Sequence, residues 1–181
     1  MKKTVALCFI LTSLFLSTPL YAQDTVEWSR DRKLNWSDFK AAPNLDIVAY
    51  ALTSYKIEIL PSDIMVDADE NIQDYEALTV VANFYKEHSW VYEKSAYLLL
   101  HEQLHFDIAA LYALKIQAEF EKLKAEKNTN YNSYVSIYQE LWAECLKTQT
   151  SYDKETQHGQ LVAINDTWID KINEQINAFE Q

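Results

Sequence analysis

Apolar and polar positions alternate along the first half of this chain and then repeat at helical spacing through the second. Val48, Tyr50 and Leu52 alternate, and Tyr55, Ile57 and Ile59 alternate in the opposite phase. The phase slips near Ser54, which predicts one strand with a bulge or two short strands. Pro61-Ser62-Asp63 ends that run, and Asp67 to Asp74 reads as an acidic loop. Leu78, Val80, Ala82 and Phe84 then share one face of a further strand, with Thr79, Val81, Asn83 and Tyr85 on the other. From about Tyr92 to Lys124 the pattern predicts one long helix, followed by a polar break at Lys127-Asn128-Thr129-Asn130. Tyr134, Ile137, Tyr138, Leu141, Trp142 and Cys145 mark a second amphipathic helix. Leu161, Ile164, Trp168, Ile172, Ile176 and Phe179 mark a third. The polar stretch Lys147 to His158 separates the last two. Ahead of all this, residues 24–46 form an irregular segment with two Trp-Ser pairs, in which Ser37 is placed to cap a turn at Asp38-Phe39-Lys40. The expected fold class is α+β: an antiparallel or mixed N-terminal sheet packed on the long helix, with two further C-terminal helices.

One part of the long helix breaks the pattern. From Ala96 to Leu114 the only residues that are neither apolar nor aromatic are His101, Glu102, Gln103, His105 and Asp107. A buried helix does not carry two imidazoles and two carboxylates without partners, because unpaired buried polar groups cost several kcal/mol. His101 and His105 are four residues apart and lie on one helix face, so both reach one cation, with Glu102 beside them. His-Glu-x-x-His on a helix is the zinc-hydrolase arrangement: two imidazole ligands and a carboxylate that takes a proton from water. The rival reading is a helix with two satisfied core histidines. Asp107 lies about 200° around the helix from His105 by the 3.6-residue period. It is left to orient a neighbouring group or to meet the sheet.

Catalytic zinc takes three protein ligands and keeps one position open. Only two other histidines exist, His88 and His158. His158 directly precedes Gly159, the single glycine of the chain, and glycine permits a close backbone approach. His158 is therefore the expected third ligand, on a loop before the last helix. Asp153, Glu155, Glu140 and Glu144 are the carboxylate alternatives, since zinc accepts either donor. His88 sits in a charged turn and reads as solvated. A tetrahedral oxyanion needs a donor besides the metal, and Tyr152, near His158, is the candidate. The Leu78–Tyr85 strand is a candidate edge for an extended peptide.

The termini and the charge narrow the setting. Lys2 and Lys3, the apolar run Val5 to Leu16, and Leu20-Tyr21-Ala22 read as a signal peptide over residues 1–22, cleaved before Gln23. Leu7 before Cys8 argues against a lipoprotein box. The rival is an uncleaved anchor. Residues 23–181 then form one domain, periplasmic or secreted from a bacterium, with no stable membrane insertion after cleavage. The net charge of −11 argues against nucleic acid as a partner. Only Cys145 remains after cleavage, so no internal disulfide forms and the core, helped by a metal, holds the fold.

The blocks Trp28-Ser29, Lys33 to Phe39, Ser89-Trp90-Val91, His101 to Asp107 and Tyr152-Asp153-x-x-Thr156-x-His158-Gly159 resemble an uncharacterised bacterial family, domain of unknown function 922, described as predicted secreted zinc-dependent proteases. The resemblance spans nearly the whole chain after residue 22. It implies a small zincin-like metallopeptidase domain with His101 and His105 as zinc ligands and Glu102 as base. The later block falls where a third ligand would come. The expected function is hydrolysis of peptide bonds in a peptide or protein substrate, assisted by one Zn2+ ion. Two alternatives stand beside it: a non-catalytic metal-containing envelope module whose Trp and Tyr residues bind a partner, and a zinc amidase acting on cell-wall peptides. Oligomeric state is left open.

Overall fold

A computed structural model describes residues 24–47 and 49–179. The expected signal peptide over residues 1–22 and the expected strand position Val48 lie outside the described residues. Strands β1 (Thr25–Glu27), β4 (Thr79–Tyr85) and β3 (Tyr55–Leu60) form an antiparallel sheet in the order β1-β4-β3. Strands β2 (Ala51–Leu52) and β5 (Trp90–Val91) form a separate antiparallel pair. Helices α1 (Ala96–Ala125), α2 (Tyr131–Thr156) and α3 (Val162–Asn177) complete an α+β fold. The slip near Ser54 is the point where the chain leaves one sheet for the other. Among the described residues, no helix is long and apolar enough to cross a membrane.

Helix α1 is the centre of the molecule. β3 and β4 pack on one side, and α2 and α3 on the others. That is why it is buried almost all round from His101 to Ala113 rather than along one stripe. Ile57, Ala82 and Phe84 point from the sheet into the core. The Phe84 ring lies 5.8 Å from Phe106 of α1 and 5.1 Å from Phe39 of the leading segment. Ser95 caps α1, its side chain accepting from the Leu98 N–H at 3.0 Å. Asn130 caps α2 through the Asn132 and Ser133 N–H groups. Phe106 is fully buried. Phe106→Ala should lower unfolding free energy by about 3–5 kcal/mol, measured by urea denaturation of the metal-free protein.

Four sequence expectations change. The long helix begins at Ala96, not Tyr92, because the Tyr50 carbonyl accepts from the Tyr92 and Glu93 N–H groups and keeps that segment extended. The polar stretch from Lys147 is mostly the last turns of α2, which runs to Thr156. Asn35 and Asp38 close the turn after Trp36: the Asn35 side chain accepts from the Ser37 N–H at 3.0 Å, and Asp38 accepts from the Asn35 N–H at 2.9 Å. Ser37 does not cap it. Finally, the Leu78–Tyr85 strand offers no edge to a peptide. β4 is the middle strand of its sheet, and the Val80 N–H donates to the Gln117 side chain at 2.7 Å.

Candidate metal centre

His101 and His105 project from the same face of α1 toward α2, where Asp153 meets them. The two Nε2 atoms are 3.2 Å apart. Asp153 Oδ1 lies 3.3 Å from Nε2 of His101 and 3.1 Å from Nε2 of His105. Tetrahedral coordination at about 2.0–2.1 Å places donor atoms about 3.3 Å apart. The triangle of donors therefore has the size of a zinc site, and two imidazoles with a carboxylate are a donor set that zinc accepts.

The outer nitrogens of both rings face side-chain amides. Gln149 Oε1 is 2.5 Å from Nδ1 of His105, while its Nε2 donates to the His105 carbonyl at 2.8 Å. Gln149 thus grips the ring and the backbone of one residue, which fixes its carboxamide with the oxygen toward Nδ1. Asn165 Oδ1 lies 3.4 Å from Nδ1 of His101. With a cation bound, both rings would carry their proton on Nδ1 toward these acceptors and direct the Nε2 lone pair at the centre of the triangle. Three acceptors facing one another demand positive charge between them. Burial opposes charge on His105, but the Asp153 hydrogen bond and the Glu102 charge outweigh it and raise its pKa. Burial likewise pushes Asp153 up, and its bonds to His101 and His105 hold it well below the usual carboxylate range.

The geometry brings Asp153, and not His158, to the two imidazoles as the third candidate ligand. His158 stands outside the triangle, its Nδ1 3.5 Å from Asp153 Oδ1 and its side chain 65% exposed. The other carboxylates fall away: Glu155 accepts from the Trp168 indole at 2.9 Å, and Glu140 and Glu144 are exposed. His88 is exposed and stacks on Tyr85, with ring centroids 5.8 Å apart. Tyr152 is not placed as an oxyanion donor. It is fully buried, its ring stacks on His101 at 4.7 Å, and its hydroxyl donates to Asn165 Oδ1 at 2.5 Å, away from solvent. Burial, with the Glu102 and Asp153 charges, pushes this phenol far above its ordinary range, so it remains a donor. Asp107 turns to the opposite face, where Oδ1 accepts from the Trp28 indole at 2.7 Å and from Gln103 at 2.9 Å.

Glu102 is buried beside the triangle. Thr53, just after β2, donates its hydroxyl to Glu102 Oε2 at 2.7 Å. The cleft in front has a volume of ≈ 330 Å³ and is lined by Ala51, Leu52 and Tyr55 as well as the site residues. Sequence reasoning singles out neither Thr53, Gln149 nor Asn165. A signal for the last exists: Asn165 falls in the apolar stripe Leu161, Trp168, Ile172, Ile176, where the structure buries it completely and leaves Ile164 40% exposed.

Gly159 touches the site directly. Its φ is +79°, and a Cβ there would lie 2.8 Å from Cγ and 3.1 Å from Nδ1 of His101. Gln157 and His158 also have positive φ, so the chain turns sharply to bring this glycine onto the imidazole. Gly159→Ala should strain the backbone by about 1–3 kcal/mol and displace the ring. The expected readout is a lower melting temperature with weakened zinc binding, by calorimetry with and without metal.

Residues 85–159 match the profile of a family described as "Bacterial protein of unknown function (DUF922)". That segment holds His101, Glu102, His105, Gln149, Asp153 and Gly159. It supports the resemblance read from the residue blocks, and its description names no activity. Neither the curated proteins nor the solved structures gave a match.

Proposed function

We propose that this protein is an exported zinc-dependent metallopeptidase. One observation carries the reading: Nε2 of His101, Nε2 of His105 and Oδ1 of Asp153 converge at 3.1–3.3 Å, beside Glu102, on an open cleft. A bound zinc ion supplies Lewis acidity, lowering the pKa of water toward about 7 and polarising a carbonyl. Glu102 takes the proton of the attacking water and returns it to the leaving amine. Thr53 holds one carboxylate oxygen so that the group keeps its direction.

Two features support a peptide as substrate. β2 is paired with β5 on one side only, and it lines the cleft, so its other edge is the one offered to an extended chain. Leu45, Ile47, Tyr50 and Tyr92 are exposed apolar side chains around the cleft and an adjoining hollow. Such a rim suits apolar side chains flanking the scissile bond. The test is the zinc content of protein purified without chelators, together with hydrolysis of a broad peptide library. About one zinc per chain and metal-dependent cleavage support the reading. Zinc without cleavage of any peptide points to a binding module, and absence of zinc affinity overturns the reading.

A further inference from the structure

The cleft before the histidine pair continues past the candidate ligands. Tyr50, Leu98 and His158 line it, and the same three residues wall a second hollow of ≈ 290 Å³ beside it. Glu93 stands in that second hollow together with Tyr97. The backbone sets the arrangement. The Tyr50 carbonyl accepts from the Tyr92 N–H at 2.7 Å and from the Glu93 N–H at 3.4 Å, which ties the chain just after β5 to the residue just before β2. Tyr97, in the first turn of α1, donates its hydroxyl to the Val162 carbonyl at 2.9 Å, which holds its ring in place. Histidines aside, the charged residues on these walls are all acidic: Glu93, Glu102 and Asp153. Neither the cleft, this hollow nor the one beside Tyr92 is lined by any lysine or arginine, although the chain has 16 of them. Glu93 is exposed and forms no ion pair among the described residues. Its neighbour Lys94 is exposed and lines none of the three hollows.

We infer that, given the metallopeptidase reading on which this rests, the second hollow receives a cationic group of the substrate, an ammonium or a guanidinium. A divalent ion at the triangle is balanced by the Asp153 and Glu102 carboxylates, so it leaves nothing over for Glu93. A peptide lying in the cleft can bring the missing charge as a Lys or Arg side chain or as its own amino terminus. Tyr50 and Tyr97 suit the alkyl stem of a long basic side chain, and attract its head where it meets a ring face. An anionic group in the same place meets like charge with no lysine or arginine to offset it, so acidic peptides are selected against. Glu93 also lies two residues before Ser95, the cap of α1, where a carboxylate complements the helix dipole. That role needs no hollow, and it shows in stability alone.

The experiment measures kcat/KM of zinc-loaded protein on peptides that differ at one position, Lys or Arg against norleucine or Glu, each with a free and an acetylated amino terminus. Wild type should cleave the Lys and Arg peptides best and the Glu peptides worst. Glu93→Gln should lower the Lys-to-norleucine ratio by about fivefold, the upper end for an ion pair open to solvent, with the change in KM. Glu93→Lys should invert the order of the Lys and Glu peptides. A preference that follows the free amino terminus assigns the hollow to that group, and the Glu93 variants should abolish it in the same way. A second arm needs no turnover: lysine amide acetylated on its α-nitrogen is titrated into zinc-loaded protein, beside the norleucine counterpart. The lysine probe alone should shift the amide NMR signals of Tyr50, Glu93 and Tyr97, and Glu93→Gln should remove those shifts. An enzyme indifferent to charge overturns the inference. So does a preference that survives both Glu93 variants, and a lower melting temperature with an unchanged ratio reduces Glu93 to a partner of the helix dipole. If no peptide is cleaved, the metallopeptidase reading fails, and the two probes still decide whether the hollow takes a cation.

Discussion

Asp153→Ala should strip the protein of zinc as thoroughly as His101→Ala or His105→Ala, while His158→Ala should leave binding nearly intact. The ranking follows from the geometry. Asp153 Oδ1 is within 3.3 Å of both Nε2 atoms, whereas His158 falls outside this group of donors, its Nδ1 3.5 Å from the same Asp153 oxygen and most of its side chain in solvent. Losing an outer partner of a metal ligand costs about 10–100-fold in affinity, and losing a ligand costs more. At fixed saturating zinc, each hundredfold loss removes about 2.7 kcal/mol of metal-linked stability, if zinc binds only the folded chain. Thermal unfolding with and without zinc therefore reads the ranking without any substrate. Asp153→Asn, which preserves shape and removes the charge, guards against a packing defect in the alanine variant. Loss of zinc from His158→Ala equal to that from Asp153→Ala would restore His158 as a ligand. Loss from His158→Ala alone would exclude Asp153.

The metal helix was legible because its signal is local. A four-residue spacing of His101 and His105 on an apolar helix needs no tertiary information. The place of Asp153 beside the two histidines was not legible, for a physical reason. The second helix carries its inward stripe through Cys145 into Gln149, Tyr152 and Thr156: the first two meet the imidazoles, and Thr156 bonds the Tyr152 carbonyl and the Gly159 N–H. Apolar periodicity fades there, so the last turns of α2 read as a loop and Asp153 lost its helical address. In the sequence, Gly159 instead points to His158. The glycine is indeed held against the site, but it makes room for the imidazole of His101 and not for a ligand beside it.

The same reasoning applies to the sheet. The β4 alternation was clear, but alternation along one strand says nothing about which strands flank it. β1 and β5, of three and two residues, are too short to show a period at all. The Trp28 and Leu34 contacts were equally hidden. The Trp28 indole meets Asp107, and the Leu34 N–H donates to Gln103 Oε1 at 2.7 Å. The two polar residues of the motif segment that face away from the histidine pair thus anchor the leading segment to α1. Every polar residue from His101 to Asp107 has a partner on one of two opposite faces, which is how a buried helix tolerates five of them.

Glu102→Gln should separate metal binding from turnover. Zinc content and zinc-dependent stability should stay at wild-type levels, and peptide hydrolysis should fall by about 10²–10⁴-fold, the usual contribution of a positioned proton acceptor. Gln matches Glu in shape, and its amide oxygen can accept the Thr53 hydroxyl that now holds Oε2 at 2.7 Å. What it cannot do is hold a proton between the attacking water and the leaving amine. Thr53→Val should act through the same carboxylate and more weakly, since it loosens the orientation of Glu102 and leaves its basicity in place. The two variants together distinguish a proton carrier from a structural carboxylate. A structural Glu102 would show its loss in the unfolding curve of the metal-free protein and leave any remaining activity proportional to folded protein. A ligand Glu102 would lose zinc on substitution as the histidine variants do. Only a proton carrier gives full zinc occupancy, an unchanged unfolding curve and lost turnover in one protein.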